Sequence, residues 1–248
     1  MTEKRGSWFA AGILLIAAGL AAGVATHVWW LPCRGQMLNG AFYWFIDPEY
    51  TFTDGCLERM DEGTAFPGPA FLAENPAGIA LATAAVVVTG LAYAVPVVSQ
   101  PHLGPRRLIL LLPGLFAIVL GSTTLIPVTL PDGVLAAALH LLGFSLLAAL
   151  AVVLSLREHL RLWRWIIAVG AVTSFSLVGV MLDYALMSSW SDANWDAPPG
   201  SGYPTAGWLV LCGLLIIGLT LLPHRRATAD QTSAATPTQQ VQQVGPVT

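Results

Sequence analysis

The chain reads as an all-α polytopic membrane protein of six transmembrane helices, with both termini in the cytoplasm (N-in/C-in) and a disulfide-braced extracytoplasmic loop. Three observations predict this. Only 10% of the 248 residues are charged and 55% are hydrophobic, against roughly 25% charged in an ordinary soluble domain. So few charges cannot cover a soluble surface, and with a mean hydropathy of +0.68 most of the surface must face lipid. The basic residues fall on alternate sides of successive apolar runs, and two of the three cysteines share one long loop.

Six stretches satisfy the spanning criterion of roughly 20 apolar residues for a ~30 Å hydrocarbon core. They lie at 8–30, 77–99, 107–130, 133–155, 163–187 and 205–222. Helix is required, because no unpaired backbone can face lipid and no dyad alternation suggests a barrel. Residues 1–226 therefore form the transmembrane domain, with extracytoplasmic loops at 31–76 and 188–204. The Ala-, Thr- and Gln-rich tail 227–248 reads as a disordered cytoplasmic segment. "TEKR" followed by an apolar run and "GVA" also has the layout of a secretory signal. The run exceeds the 7–15 residues of a signal core, which favours an uncleaved first span.

Orientation follows from charge. Lys4, Arg5, Arg106, Arg107, Arg157, Arg161, Arg164, Arg225 and Arg226 lie on one side, and only Arg34 and Arg59 on the other. The positive-inside rule makes the first side cytoplasmic. Acids show the reverse bias: Glu3, Glu158 and Asp230 are inside, and the other eleven of fourteen lie outside or near the outer ends of spans. The location expected is a bacterial cytoplasmic (inner) membrane, and the Ala-, Gly- and Trp-rich composition looks like that of a high-GC bacterium.

Cys33 and Cys56 fall in the 31–76 loop and Cys212 in the sixth span. Two cysteines of one loop in an oxidising compartment predict a disulfide. A redox-active pair would want C-x-x-C spacing, which is absent. Aromatics crowd the same side, among them Trp29, Trp30, Trp44, Trp190, Trp195 and Tyr203. They read as an interfacial belt, with "AFYWFI" (41–46) folded back onto the bundle or the interface.

The stretch "SDANWDAPPGSGY" (191–203) sets Asp192, Asn194 and Asp196 at every second position, as a calcium loop does. The sixth position is Ala197 instead of Gly, the twelfth is Tyr203 instead of Glu, and prolines replace the wrap. It reads as an Asx turn and a proline turn launching the last span, with no metal bound. Nucleotide fingerprints, zinc spacing and G-x-S-x-G are absent, so no cofactor is expected. Sparse, dispersed basic residues exclude nucleic acid as a partner. The lipid bilayer is the expected partner, together with a membrane protein.

Ionisable groups inside spans are functional suspects. His27, His140 and Asp183 qualify, about 4, 10 and 6 Å below their spans' outer ends at ~1.5 Å per residue. His27 continues a Gly19-x-x-x-Gly23 face, His140 lies near Gly143 and Ala136, and Asp183 shares a stripe with Thr173, Ser176 and Gly179. They form a candidate outer-leaflet polar cluster, either a structural His–Asp hydrogen bond or a proton-linked site. Bis-histidine haem is disfavoured by the depth difference of about 6 Å. No catalytic residue is assigned.

The stretch "IPVTLPDGVLAAALHLLGFSLLAAL" (126–150) resembles a family of uncharacterised bacterial polytopic membrane proteins. An outward Pro-Asp turn there precedes a helix with a His and then a Gly, matched by Pro131, Asp132, His140 and Gly143. The resemblance implies a multi-span fold and carries no activity. The leading expectation is an accessory or ligand-binding subunit in transport or envelope assembly. The alternative is an intramembrane enzyme or small transporter working through His27, His140 and Asp183.

Overall fold

The computed structural model describes residues 5–33, 53–61, 76–100, 106–123, 162–175, 177–190 and 199–222. Among these the chain is helical, with no strand. The helices are α1 (Arg5–Trp29), α2 (Asp54–Asp61), α3 (Pro76–Val98), α4 (Arg106–Thr123), α5 (Leu162–Thr173), α6 (Leu177–Trp190) and α7 (Tyr203–Leu221), with a 3-10 turn at Leu31–Cys33. Three of them, α1, α3 and α7, are long and apolar enough to cross a membrane, and the bent pair α5–α6 makes a fourth if it counts as one span. The predicted fourth span, the 41–46 segment and the 227–248 tail lie outside the described residues.

Association of apolar helices in lipid gains little from hydrophobicity, so close backbone approach has to supply it. The sequence provides glycines for this. Antiparallel α1 and α7 meet at Gly12 against Gly213 and at Gly19 against Ala206, seven residues apart on both helices. A Cβ on Gly213 would stand 2.6 Å from the Gly12 carbonyl oxygen, and one on Gly19 would stand 2.8 Å from that of Ala206. Gly23, expected on the same face, is looser, with its nearest neighbour 3.8 Å away. On its other side α1 packs on α3, and α3 packs on α4 through Gly90 and Gly114. Helix α5 lies across α7 and α3. The core is built of Trp8, Leu15, Tyr93, Leu110, Trp165 and Leu209. Hydroxyls within these helices hide by bonding back to carbonyls four residues earlier, as Thr89 does to Ala85 and Thr220 to Ile216.

The predicted fifth span is not one helix. It breaks after Thr173, and α6 leaves α5 at 75°. The run Thr173-Ser174 ends α5 because its hydroxyls compete for the helix carbonyls. Thr173 Oγ1 donates to Gly170 O at 3.0 Å and Ser174 Oγ to Ala171 O at 2.5 Å. Trp208 Nε1 of α7 donates to the same Gly170 carbonyl at 3.0 Å. Two of the carbonyls freed by the break, those of Gly170 and Ala171, are thus satisfied, as a break inside a membrane requires of its backbone. Gly179 allows the corner, since any side chain there would overlap the Ser174 backbone.

Candidate functional site

The end of the bundle where α1 finishes and α7 begins gathers most of the sequence-predicted site residues. Its base is the Cys33–Cys56 disulfide, with Cα atoms 4.8 Å apart. Both cysteines are fully buried among Trp29, Trp30, Met60 and Ile79, which joins α2 to the ends of α1 and α3. Thr53 Oγ1 donates to Pro32 O at 3.2 Å, beside the bridge. The Arg59 guanidinium stacks 4.7 Å above the Trp29 ring, a cation–π contact that lets a buried basic residue cap an apolar cluster. Cys212 is free and buried in α7, as expected. Changing both Cys33 and Cys56 to serine should lower stability by about 3 kcal/mol on the chain-entropy model. Chemical unfolding in detergent with and without reductant checks this. A wild-type protein indifferent to reductant would sink it.

Asp183 is the one residue of α6 that is buried, among those described. Val178, Met181 and Leu182 around it are 58–60% exposed. Its carboxylate is spent on the start of α7. Oδ2 accepts from Gly202 N–H at 2.7 Å, and Oδ1 accepts from Thr205 N–H and Thr205 Oγ1, both at 2.9 Å.

The sequence of α7's entry explains why. Gly202 is the N-cap at φ 101°, a left-handed conformation that favours glycine, so the cap has no side chain to offer. Pro204 has no N–H to be satisfied. Tyr203 N–H goes to Gly200 O at 3.1 Å. The remaining donor of the first turn, Thr205 N–H, would be orphaned without help. Asp183, reaching from a different helix, performs the task an N-cap Asp or Ser normally does, and its charge faces the positive end of the α7 dipole.

His27 sits on the exposed face of α1, and its Nδ1 lies 3.1 Å from the Tyr203 hydroxyl. Trp30 Nε1 donates to Ser201 O at 2.9 Å, a buried tie between the end of α1 and the same turn. His27 and Asp183 are therefore both bound to the entry of α7, by separate bonds to different residues. His140 lies outside the described residues, as do Asp192, Asn194 and Asp196. The Thr173-Ser176-Gly179-Asp183 stripe does not run along one helix, because the break intervenes.

Chemically, three of the roughly four acceptor sites of the Asp183 carboxylate are taken up at the start of α7. His27 is exposed and is held through Nδ1 by the Tyr203 hydroxyl. No group of three or more His, Cys, Asp or Glu that could hold a metal occurs among the described residues. Trp30, Thr205 and Ser201 were not singled out by sequence as parts of this assembly. The legible signal was "GYPT" (202–205), which pairs a capless glycine with a second-position proline and so calls for an outside acceptor. Comparison with protein-family models, curated proteins and solved structures finds no match to this chain.

Proposed function

We propose that the chain is a six-span bacterial inner-membrane protein, N-in and C-in, that serves as a non-enzymatic accessory or ligand-binding subunit in transport or envelope assembly. The observation that carries the non-enzymatic reading is the engagement of Asp183. Its three hydrogen bonds are those of a helix cap, and a residue so used is not poised for acid–base work. The orientation is supported by the basic residues and by the Cys33–Cys56 bridge at the end of α1, which belongs in an oxidising compartment.

Two experiments test this. Single-cysteine labelling of intact cells should modify positions near Glu62 and Asp196 and spare those near Arg106 and Thr236. Labelling of Thr236 from outside would overturn the orientation. Purification in mild detergent with mass spectrometry should recover a membrane-protein partner in fixed stoichiometry.

The alternative, a small transporter working through His27, His140 and Asp183, draws support from the broken helix α5–α6, since interrupted helices frame many transporter sites. Proton-coupled uptake by proteoliposomes of the chain alone, lost in His27→Ala, would favour it over the accessory role.

A further inference from the structure

The opposite end of the bundle, where α1 begins and α7 finishes, holds polar groups without partners. Ser99 Oγ and Ser7 Oγ are hydrogen-bonded at 2.9 Å, which sets the end of α3 against the first turn of α1. The residues next to those two serines are Gln100 and Trp8. Trp8 meets Trp165 of α5 edge-to-face with centroids 5.2 Å apart, and Trp165 meets Tyr93 of α3 in the same way at 6.0 Å. Both atoms of the Gln100 amide, the Tyr93 hydroxyl and Trp165 Nε1 are enclosed and lack a hydrogen-bond partner among the described residues. Gln100 and Tyr93 are 2% exposed and Trp165 is 0% exposed. Two residues before Gln100, the Val98 carbonyl accepts from Arg107 Nη2 at 2.7 Å, while Arg107 Nε is enclosed and has no partner among the described residues.

Enclosed polar groups are costly unless something supplies what they lack. Trp165 Nε1 and Arg107 Nε can only donate, so what they lack is an acceptor. Charge narrows its nature. Arg5, Arg107 and Arg164 belong to this end, whereas the described carboxylates, Asp54, Glu58 and Asp183, belong to the other. Arg107 is half-buried, and exposed Val98 and Leu108 flank it with apolar surface suited to an acyl chain.

We propose that this end of the bundle binds the phosphate of an anionic phospholipid headgroup, held by Arg107 and Gln100 with Trp165 behind them. Of these residues Arg107 is the one that reaches the surface, being half-buried while Gln100 and Trp165 are buried. The proposal rests on the membrane reading of α1, α3 and α7 but not on their orientation, so failure of the topology test leaves it standing.

The test is thermal unfolding of delipidated, full-length protein with added phosphatidylglycerol, with diacylglycerol of the same acyl chains, or with inorganic phosphate. Phosphatidylglycerol should raise the melting temperature by about 5 °C at saturation, and diacylglycerol should not. Gln100→Leu and Trp165→Phe replace unpaired polar groups by apolar ones. Their lipid-free melting temperatures should therefore equal or exceed the wild type's, while the lipid-induced rise falls by at least half. Inorganic phosphate giving the full rise would overturn the lipid assignment. An equal rise with diacylglycerol, or an undiminished rise in both variants, would overturn the site.

Discussion

Asp183→Ala is expected to destabilise the folded protein by about 3–5 kcal/mol, because it strands buried donors at once. Gly202 N–H, Thr205 N–H and the Thr205 hydroxyl would all lose their acceptor. Lipid cannot replace it. Asp183→Asn keeps one carbonyl oxygen but turns an NH2 toward a donor, so it should cost about half as much. Neither loss can be recovered locally, since Gly202 carries no side chain and Pro204 no N–H. Equilibrium unfolding in detergent measures both variants. An alanine variant as stable as wild type would remove the carboxylate from its role as the cap of α7. In cells, any phenotype of these variants should track protein abundance, which is how a cap differs from a catalytic group.

Gly213→Val should cost about 3 kcal/mol or more, by forcing α1 and α7 apart. The obstacle is the Gly12 carbonyl, 2.6 Å from the new Cβ, and a backbone atom cannot move aside as a flexible side chain can. Gly207 and Gly218 on the same helix are internal controls, with nothing within 4 Å of an added Cβ. Alanine at either should be neutral or stabilising by up to about 1 kcal/mol, through helix propensity alone. If Gly213→Val and Gly218→Ala unfold alike, the packing of α1 on α7 is not what holds the bundle.

Much of this architecture was legible in the sequence, and the parts that were not share a cause. Spans one, two and six were placed within a few residues of α1, α3 and α7, because a long apolar run has one solution in lipid. The Cys33–Cys56 bridge followed from compartment and count. Span five was read as continuous because hydropathy averages over Thr173-Ser174, and local hydroxyl competition leaves the mean almost unchanged. The short helix α2 was invisible for the same reason, being polar and only eight residues long. Asp183 was singled out as costly, yet a histidine was the partner foreseen. Its actual partners lie 19 and 22 positions away at the start of another helix. Helical periodicity reports which face a residue occupies but not which backbone ends that face will meet.

The pairing of the first long helix with the last also sets a timetable for biogenesis. Gly12 waits for Gly213, and ribosomes elongate at ~5–20 residues per second, so about 200 intervening residues take ~10–40 s. Through that interval the glycine seam of α1 is uncovered, since Gly12, Gly19 and Gly23 all face α7. Nascent chains halted before Tyr203 lack α7 altogether and keep that seam open indefinitely. Quality-control proteases and insertion factors that read small-residue faces would find their target there, and completed chains would withdraw it.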